Sequence, residues 1–202
     1  MAYDHEASCS KVQLPYTVQP VSIDVRVHAE ERKNRLYIAF KRIAGEDNEV
    51  DPWELQELLN TVVKRDPELW DNQFSLDACK SMVAMTDADR SGKLGYEEFV
   101  ELWKSIMAWT KIFKQYDRDN SGTFSANELH LAFSTLGYKL SGTTFKAMVL
   151  RYADKDSQIK YNSFIAGATK LRHMYEIFYK HVGKDKKATF GFDDYIRATM
   201  YS

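Results

Sequence analysis

The sequence predicts an all-α protein made of repeated helix-loop-helix units, and three observations support that fold class. Two acidic segments, 87–98 and 117–128, repeat the same spacing of residue types. Apolar residues recur every three or four positions from Tyr96 to Tyr116, which is the period of an amphipathic helix. The chain has 202 residues, 44% of them hydrophobic, so it can bury the core of one large domain or two small ones.

The two acidic segments carry oxygen ligands at the spacing that calcium requires. Residues 87–98 read D-A-D-R-S-G-K-L-G-Y-E-E, and residues 117–128 read D-R-D-N-S-G-T-F-S-A-N-E. An EF-hand loop binds calcium through positions 1, 3 and 5, the backbone carbonyl of position 7 and a bidentate Glu at position 12. Serine at position 5 replaces the usual Asp or Asn but still offers a hard oxygen. The spacing therefore predicts two calcium-binding EF-hands, with ligands Asp87, Asp89, Ser91, Lys93 and Glu98 in one and Asp117, Asp119, Ser121, Thr123 and Glu128 in the other.

Amphipathic helices are predicted beside these loops. The segment from Tyr96 to Tyr116 leaves the first acidic loop and enters the second, so the two hands share one long helix. A similar pattern runs from Tyr161 to Val182. We expect both apolar stripes to be core: Phe99, Leu102, Ile106, Trp109, Phe113 and Tyr116 in the first, and Phe164, Ile165, Ala168, Leu171, Tyr175 and Phe178 in the second.

Two weaker repeats follow toward the C-terminus. Residues 152–163 place Asp154 and Asp156 at the third and fifth positions, but Tyr152 and Ser163 cannot supply the ligands of the first and last positions. We interpret this segment as a degenerate hand and leave its calcium binding open. Residues 181–195 have a helix-loop-helix setting with three lysines and few ligands. That fifth unit should not bind calcium.

An additional acidic segment precedes the strong hands. Residues 44–54 read A-G-E-D-N-E-V-D-P-W-E, one residue shorter than a standard loop and without its first acid. The ligand types alone leave open whether it is a broken calcium site, a working variant or a polar turn. Pro52 fits the start of a following helix, where a missing N–H costs little.

The chain thus has five helix-loop-helix units whose calcium ligand sets differ in completeness. In this it resembles the penta-EF-hand family over about residues 35–202. The motifs that carry the resemblance are A-G-E-D-N-E-V-D-P-W-E-L, C-K-S-M-V-A-M-T-D-A-D-R-S-G-K-L-G-Y-E-E-F and the order of strong and weak hands. The stretches T-V-V-K-R-D-P-E-L-W-D and T-M-Y-S look like the calpains of this family, whereas L-G-Y-K-L-S and F-D-D-Y-I look like sorcin and grancalcin. The subfamily therefore stays open.

The resemblance implies a ligand set for the first loop and a partner for the fifth hand. The first loop would bind calcium through the Ala44 carbonyl, Asp47, Glu49 and Glu54. EF-hands pair through short strands between their loops, so one hand of five is left over, and this fifth hand would pair with the fifth hand of another chain, as a homodimer or a heterodimer. The apolar residues expected at that contact are Phe190, Phe192, Tyr195 and Ile196.

The N-terminal segment departs from the family pattern. Residues 1–34 contain no glycine, and V-S-I-D-V-R-V at 21–27 alternates like a half-buried strand. We expect residues 1–34 to form a partly disordered or docked tail, or the last piece of a preceding β-domain, and residues 35–202 to form the calcium-binding domain.

Composition and charge bound the location and the partners. Lys and Arg number 28 against 29 Asp and Glu, and no basic stripe stands out, so nucleic acid is not an expected partner. The first ten residues lack a secretory signal pattern, and no apolar run approaches the length of a membrane span. We therefore expect a cytoplasmic protein, with reversible, calcium-dependent membrane association.

The function predicted from these patterns is a calcium sensor that changes conformation on binding Ca²⁺ and engages a protein or membrane partner. The alternatives are a regulatory subunit or C-terminal domain of a calpain cysteine protease, and a passive calcium buffer. Catalysis by the chain itself is not expected, because Cys9 and Cys79 lack the setting of a protease nucleophile and the five histidines form no partner motif. Cys79 has Met82 and Val83 on its helical face, which favours a place in the core.

Overall fold

The computed structural model describes residues 34–64 and 73–200 of the chain. Helix α1 occupies 34–43. The helices that follow are α2 (Pro52–Val63), α3 (Leu76–Thr86), α4 (Tyr96–Tyr116), α5 (Ala126–Thr135), α6 (Gly142–Tyr152), α7 (Tyr161–His181) and α8 (Phe192–Met200). The strands are β1 (Glu49–Val50), β2 (Leu94–Gly95), β3 (Thr123–Phe124) and β4 (Ile159–Lys160). The all-α prediction is confirmed, and the helix predicted from Tyr96 to Tyr116 has those bounds.

Some predictions fall outside the described ranges. The segment 1–33 lies outside these ranges. It contains the strand pattern at 21–27 and the residues Cys9, His5 and His28. The division of the chain at residues 34 and 35 therefore stays a prediction. Within the ranges that are described, no helix is both long enough and apolar enough to span a bilayer.

Four of the five loops associate in two pairs through their strands. Strand β1 is antiparallel to β2, with Val50 opposite Leu94, and β3 is antiparallel to β4, with Phe124 opposite Ile159. All four of these side chains are fully buried. Each short sheet thus fixes two loops side by side and anchors them in the core.

The core lies among α1 to α5, α7 and the strands, and most of the predicted apolar stripes line it. Five of the six predicted residues of α4 are buried, and Tyr116 is partly buried. In α7 the buried residues end at Leu171, Tyr175 is partly buried, and Phe178 is 41% exposed. The core assignment of Phe178 was wrong because the last turns of α7 lead into the fifth hand, whose helix α8 buries none of its residues.

Polar side chains hold the chain where it enters α3. Gln56 Nε2 donates to the Phe74 carbonyl at 2.9 Å, and the Phe74 N–H donates to Asn60 Oδ1 at 2.8 Å. Asn162, in the first turn of α7, donates to the Gln73 carbonyl at 2.8 Å. The first two bonds satisfy the backbone groups of Phe74, which is buried, and the third connects the fourth hand to the start of the second.

Candidate calcium sites

The second loop brings its predicted acidic ligands together. Oxygen atoms of Asp87, Asp89 and Glu98 lie within 4.8 Å of one another. In the part of the chain that the structure describes, this is the one cluster of three acidic side chains that is so close. The Ser91 N–H donates to both Asp87 Oδ1 and Asp89 Oδ1, at 3.0 and 2.9 Å. The Ser91 hydroxyl donates to the Lys93 carbonyl at 3.2 Å, so the oxygens of positions 5 and 7 lie together.

Glycine at position 6 lets the loop wrap around its first aspartate. Gly92 has a φ of +79° and Gly122 a φ of +74°, a conformation that costs glycine little because it lacks Cβ. The Gly92 N–H donates to Asp87 Oδ2 at 2.8 Å, and the Gly122 N–H donates to Asp117 Oδ2 at 3.0 Å.

The third loop repeats this turn but holds its last ligand differently. The Ser121 N–H donates to Asp117 Oδ1 and Asp119 Oδ1, at 3.0 and 3.1 Å, and the Ser121 hydroxyl donates to the Thr123 carbonyl at 3.1 Å. Glu128 Oε2, however, accepts bonds from both the N–H and the hydroxyl of Ser125, each at 2.8 Å. Asp117, Asp119 and Glu128 accordingly do not form a group as close as that of the second loop.

Ser125 was not among the predicted site residues, although the sequence carries a signal for it. S-A-N-E at 125–128 is a capping-box pattern, and Ser125 is the N-cap of α5. The second loop has Gly95 at the equivalent position, so Glu98 receives only the backbone bond there, at 3.1 Å. At the helix N-cap the extra hydroxyl distinguishes Glu128 from Glu98, whose other oxygen, Oε1, accepts instead from the Ala88 N–H at 2.8 Å, within the second loop.

The electrostatics of both loops favour a bound cation. Asp87 and Asp117 are buried C-caps of α3 and α4, where the negative end of the helix dipole opposes a carboxylate. The backbone N–H of Ser91 holds the pKa of Asp89 below its usual value, and the Ser121 hydroxyl does the same for Asp119. Asp89 and Asp119 are therefore held in the ionised form, and the hard oxygens of both loops fit Ca²⁺.

The first loop lies between α1 and α2, and its predicted acidic ligands do not form a group as close as that of the second loop. Ala44 is buried just after α1, and Glu54 Oε2 accepts from the Asp51 N–H at 2.9 Å. Pro52 is the first residue of α2, as expected. Asp47 Oδ1 accepts from the Glu49 N–H at 3.3 Å.

An ion pair that the sequence did not predict joins the first and second loops. Lys93 Nζ lies 2.6 Å from Asp47 Oδ2. The Lys93 ammonium holds the pKa of Asp47 below its usual value, and Asp47 in turn raises the pKa of Lys93. The contact arises because the β1–β2 pairing brings together two segments that are distant in sequence. No local sequence pattern predicts it.

The fourth and fifth loops lack a comparable ligand set. In the fourth, Asp154 Oδ1 accepts from the Asp156 and Gln158 N–H groups, each at 3.0 Å, and the Gln158 N–H lowers the pKa of Asp154. In the fifth, Asp185 is the one acidic residue between 182 and 191. It accepts from the Lys187 N–H at 3.2 Å. The degenerate and calcium-silent interpretations of these loops, like the ligand roles in the other three, stay predictions.

The fifth hand exposes an apolar surface. Its loop forms a bridge within itself, Val182 with Ala188, and pairs with no other loop of the described ranges. Phe190 is half-buried against the His181 ring, with ring centroids 4.6 Å apart. The remaining predicted contact residues are exposed: Phe192 by 79%, Tyr195 by 56% and Ile196 by 41%.

Known proteins resemble this chain in sequence and in fold. The EF-hand domain family matches residues 108–137, around the third loop. Calpain small subunit 1 from Bos taurus is 34% identical over 97% of this chain and 77% of its own length. The chain belongs to the penta-EF-hand family. Calpain small subunit 2 from Mus musculus is 37% identical over 88% of this penta-EF-hand chain and 72% of its own.

A solved structure supports the penta-EF-hand fold. It is that of a homolog of programmed cell death 6 protein from Leishmania major Friedlin. The TM-score is 0.55 at 21% identity, over 77% of this chain and 82% of that one. Of the two subfamilies that the sequence left open, the relatives named here belong to the calpain small subunits.

Family membership and the acidic loops make this penta-EF-hand protein a calcium-binding regulatory protein rather than an enzyme. Cys79 agrees with that assignment. It is fully buried, as predicted, and burial raises the pKa of its thiol to about 12. A nucleophilic cysteine needs an accessible thiolate, so Cys79 is a core residue.

Proposed function

We propose that this protein is a calcium sensor that regulates a larger protein, to which it binds through its fifth hand. The observation that carries the proposal is the exposed apolar face of α8. Loops one to four are paired within the chain, whereas Phe192, Tyr195 and Ile196 remain exposed. A second fifth hand would cover this face in the way that the other loops cover one another.

The partner we propose is the EF-hand domain of a calpain large subunit. The relatives that support this are named calpain small subunits, and a small subunit implies a larger one. A second copy of this chain is the other arrangement that the same face permits, because a two-fold axis places equal patches together.

Regulation would follow from the position of the acidic loops at helix ends. Binding of Ca²⁺ supplies positive charge to carboxylates that otherwise repel one another at the ends of α3 and α4. Helix α4 joins the second and third loops without interruption, so a change of angle at one loop reaches the other. We therefore favour a sensor over a passive buffer, which changes shape little.

The dimer surface is tested by changing α8. Ile196→Asp should dissociate the complex, because it puts a charge into an apolar contact. Arg197→Gln changes the net charge by the same amount on another face and serves as the control. The mass by light scattering, alone and with a large-subunit EF-hand domain, should exceed the 23.5 kDa of one chain for wild type and the control only. A wild type that stays monomeric in both settings would contradict the proposal.

The sensor is distinguished from the buffer by exposure of apolar surface. An apolar fluorescent dye should bind more strongly in calcium than in chelator, with magnesium as the control cation. Equal dye binding in all three would make the protein a buffer.

We also propose a cytoplasmic location with calcium-dependent membrane attachment, which cell fractionation in calcium and in chelator would test.

A further inference from the structure

Lys93 serves two neighbouring loops at once. Its backbone carbonyl stands at position 7 of the second loop and accepts from the Ser91 hydroxyl, whereas its ammonium reaches the first loop and contacts Asp47 Oδ2 at 2.6 Å. Glu49 and Glu54 also attract this ammonium. The positive charge therefore contacts one of the three acidic residues predicted to bind calcium in the first loop and is attracted by the other two.

The strand pairing holds the ammonium in this place. Glu49 lies opposite Gly95 and Val50 opposite Leu94, so Lys93 directly precedes the paired residues. Val50 and Leu94 are fully buried, which fixes the register of the two loops. The paired strands bring the two loops so close that the Lys93 side chain spans the distance between them.

We propose that Lys93 sets the calcium affinity of the first loop, because its ammonium occupies Asp47 and must leave before that carboxylate can bind a cation. The inference rests on the calcium-binding function proposed above. The pair is half-exposed, with side-chain exposures of 39% and 50%, and such surface pairs are individually weak. Lys93 thus lowers the affinity of the site without closing it.

Simple electrostatics gives the size of the effect. An ammonium displaced to about 7 Å from a divalent ion in water repels it enough to weaken binding roughly fivefold at low salt. Salt near the physiological range screens much of that repulsion. The calcium affinity of the second loop should change less when Lys93 is replaced, because Lys93 supplies that loop with a backbone carbonyl, which every substitution keeps.

Calcium titration calorimetry of Lys93 variants at low and at high salt tests the inference. Lys93→Met keeps the aliphatic stem and removes the charge, and it should tighten the first-loop site about fivefold at low salt. Lys93→Gln is a second neutral variant with the same expected gain, and Lys93→Arg should stay near wild type. Lys104→Met is the matched control, since Lys104 pairs with Glu101 on the surface of α4, at 2.5 Å.

The first-loop site is identified by Glu54→Gln, which should remove its binding step. The gain from Lys93→Met should then be absent in the double variant. An unchanged affinity in both neutral variants, or an equal gain in Lys104→Met, would overturn the inference and leave the proposed function intact. A wild type with no step that depends on Glu54 would instead overturn calcium binding by the first loop.

Discussion

Single side chains decide how ready each loop is for calcium. In the second loop Glu98 already lies with Asp87 and Asp89, whereas in the third loop the Ser125 hydroxyl holds Glu128 at the N-cap of α5. The two loops share their ligand types but differ at position 9, where only the third loop has a hydroxyl, and at Glu98 Oε1, which accepts from a backbone N–H of its own loop. To bind calcium, Glu128 must leave the Ser125 hydroxyl, a bond that has no counterpart at Glu98.

The first prediction concerns these two glutamates. Glu98→Gln and Glu128→Gln should each weaken calcium binding at their own loop by at least roughly tenfold. Mutating even a residue that only hydrogen-bonds to a metal ligand typically lowers the metal affinity by that factor. Ser125→Gly, which makes the third loop like the second, should tighten the third site. Calorimetric titration checks all three variants, and a Glu98→Gln protein with wild-type affinities would refute the ligand assignment.

The second prediction concerns His173 and pH. Its Nδ1 is buried without a hydrogen-bond partner in the described structure, and burial lowers the pKa of this histidine below the ordinary 6.5. Protonation therefore favours the unfolded chain, and stability in chelator should fall as pH drops below 6.5 toward the folded pKa. Of the nearby charges, Glu176 opposes this shift, whereas Lys170 and Lys180 reinforce it.

Thermal unfolding at pH 7.5 and at pH 5.5 measures this dependence. His173→Leu should flatten it, whereas the exposed His130→Leu should not. An equal slope in wild type and His173→Leu would show that other groups produce the pH dependence.

At the scale of elements, α4 and α7 form the frame on which the loops are mounted. Thr110 Oγ1 donates to the Ile106 carbonyl, so in its 2.7 Å contact with Tyr161 the tyrosine hydroxyl is the donor. Both side chains are buried. Tyr161 also packs edge-on against Phe113, with ring centroids 5.3 Å apart. The start of the fourth hand's exit helix is thereby fixed to the helix that joins loops two and three.

The third prediction tests this frame. Tyr161→Phe removes one buried hydrogen bond and leaves the donor bond of Thr110 intact, so it should lower the free energy of unfolding by about 1 kcal/mol. Tyr116→Phe removes an exposed hydroxyl contact with Thr135 and should change stability by less than about 0.5 kcal/mol. Urea unfolding of both variants makes the comparison, and equal losses would argue against a special role for the buried bond.

At the scale of the whole molecule, calcium and folding are linked. Ligands that bind the folded chain and not the unfolded one raise its stability, by about 2.7 kcal/mol per site at a concentration one hundred times Kd. The fourth prediction is that the unfolding temperature rises steadily with calcium and much less with equal magnesium. A protein whose unfolding temperature ignores calcium would contradict the calcium-binding assignment.

Much of this protein could be predicted because its signals are local in sequence. The spacing of Asp, Ser, Gly and Glu in 87–98 and 117–128 specifies oxygen ligands on a tight turn, and the period of apolar residues specified α4 to its last residue. Those patterns determined the all-α class and the calcium-binding function. The first loop needed a family resemblance as well, since its ligand types alone were ambiguous.

Only the tertiary structure decided what depends on distant segments meeting. The Asp47–Lys93 ion pair joins residues 46 positions apart, and it exists because two strands bring their loops together. Phe178 has the helical spacing of a core residue but is exposed, because the fifth hand beyond it adds no helix with buried residues. The period of a helix shows which face is apolar, whereas burial requires a second surface, and that surface is set by the fold.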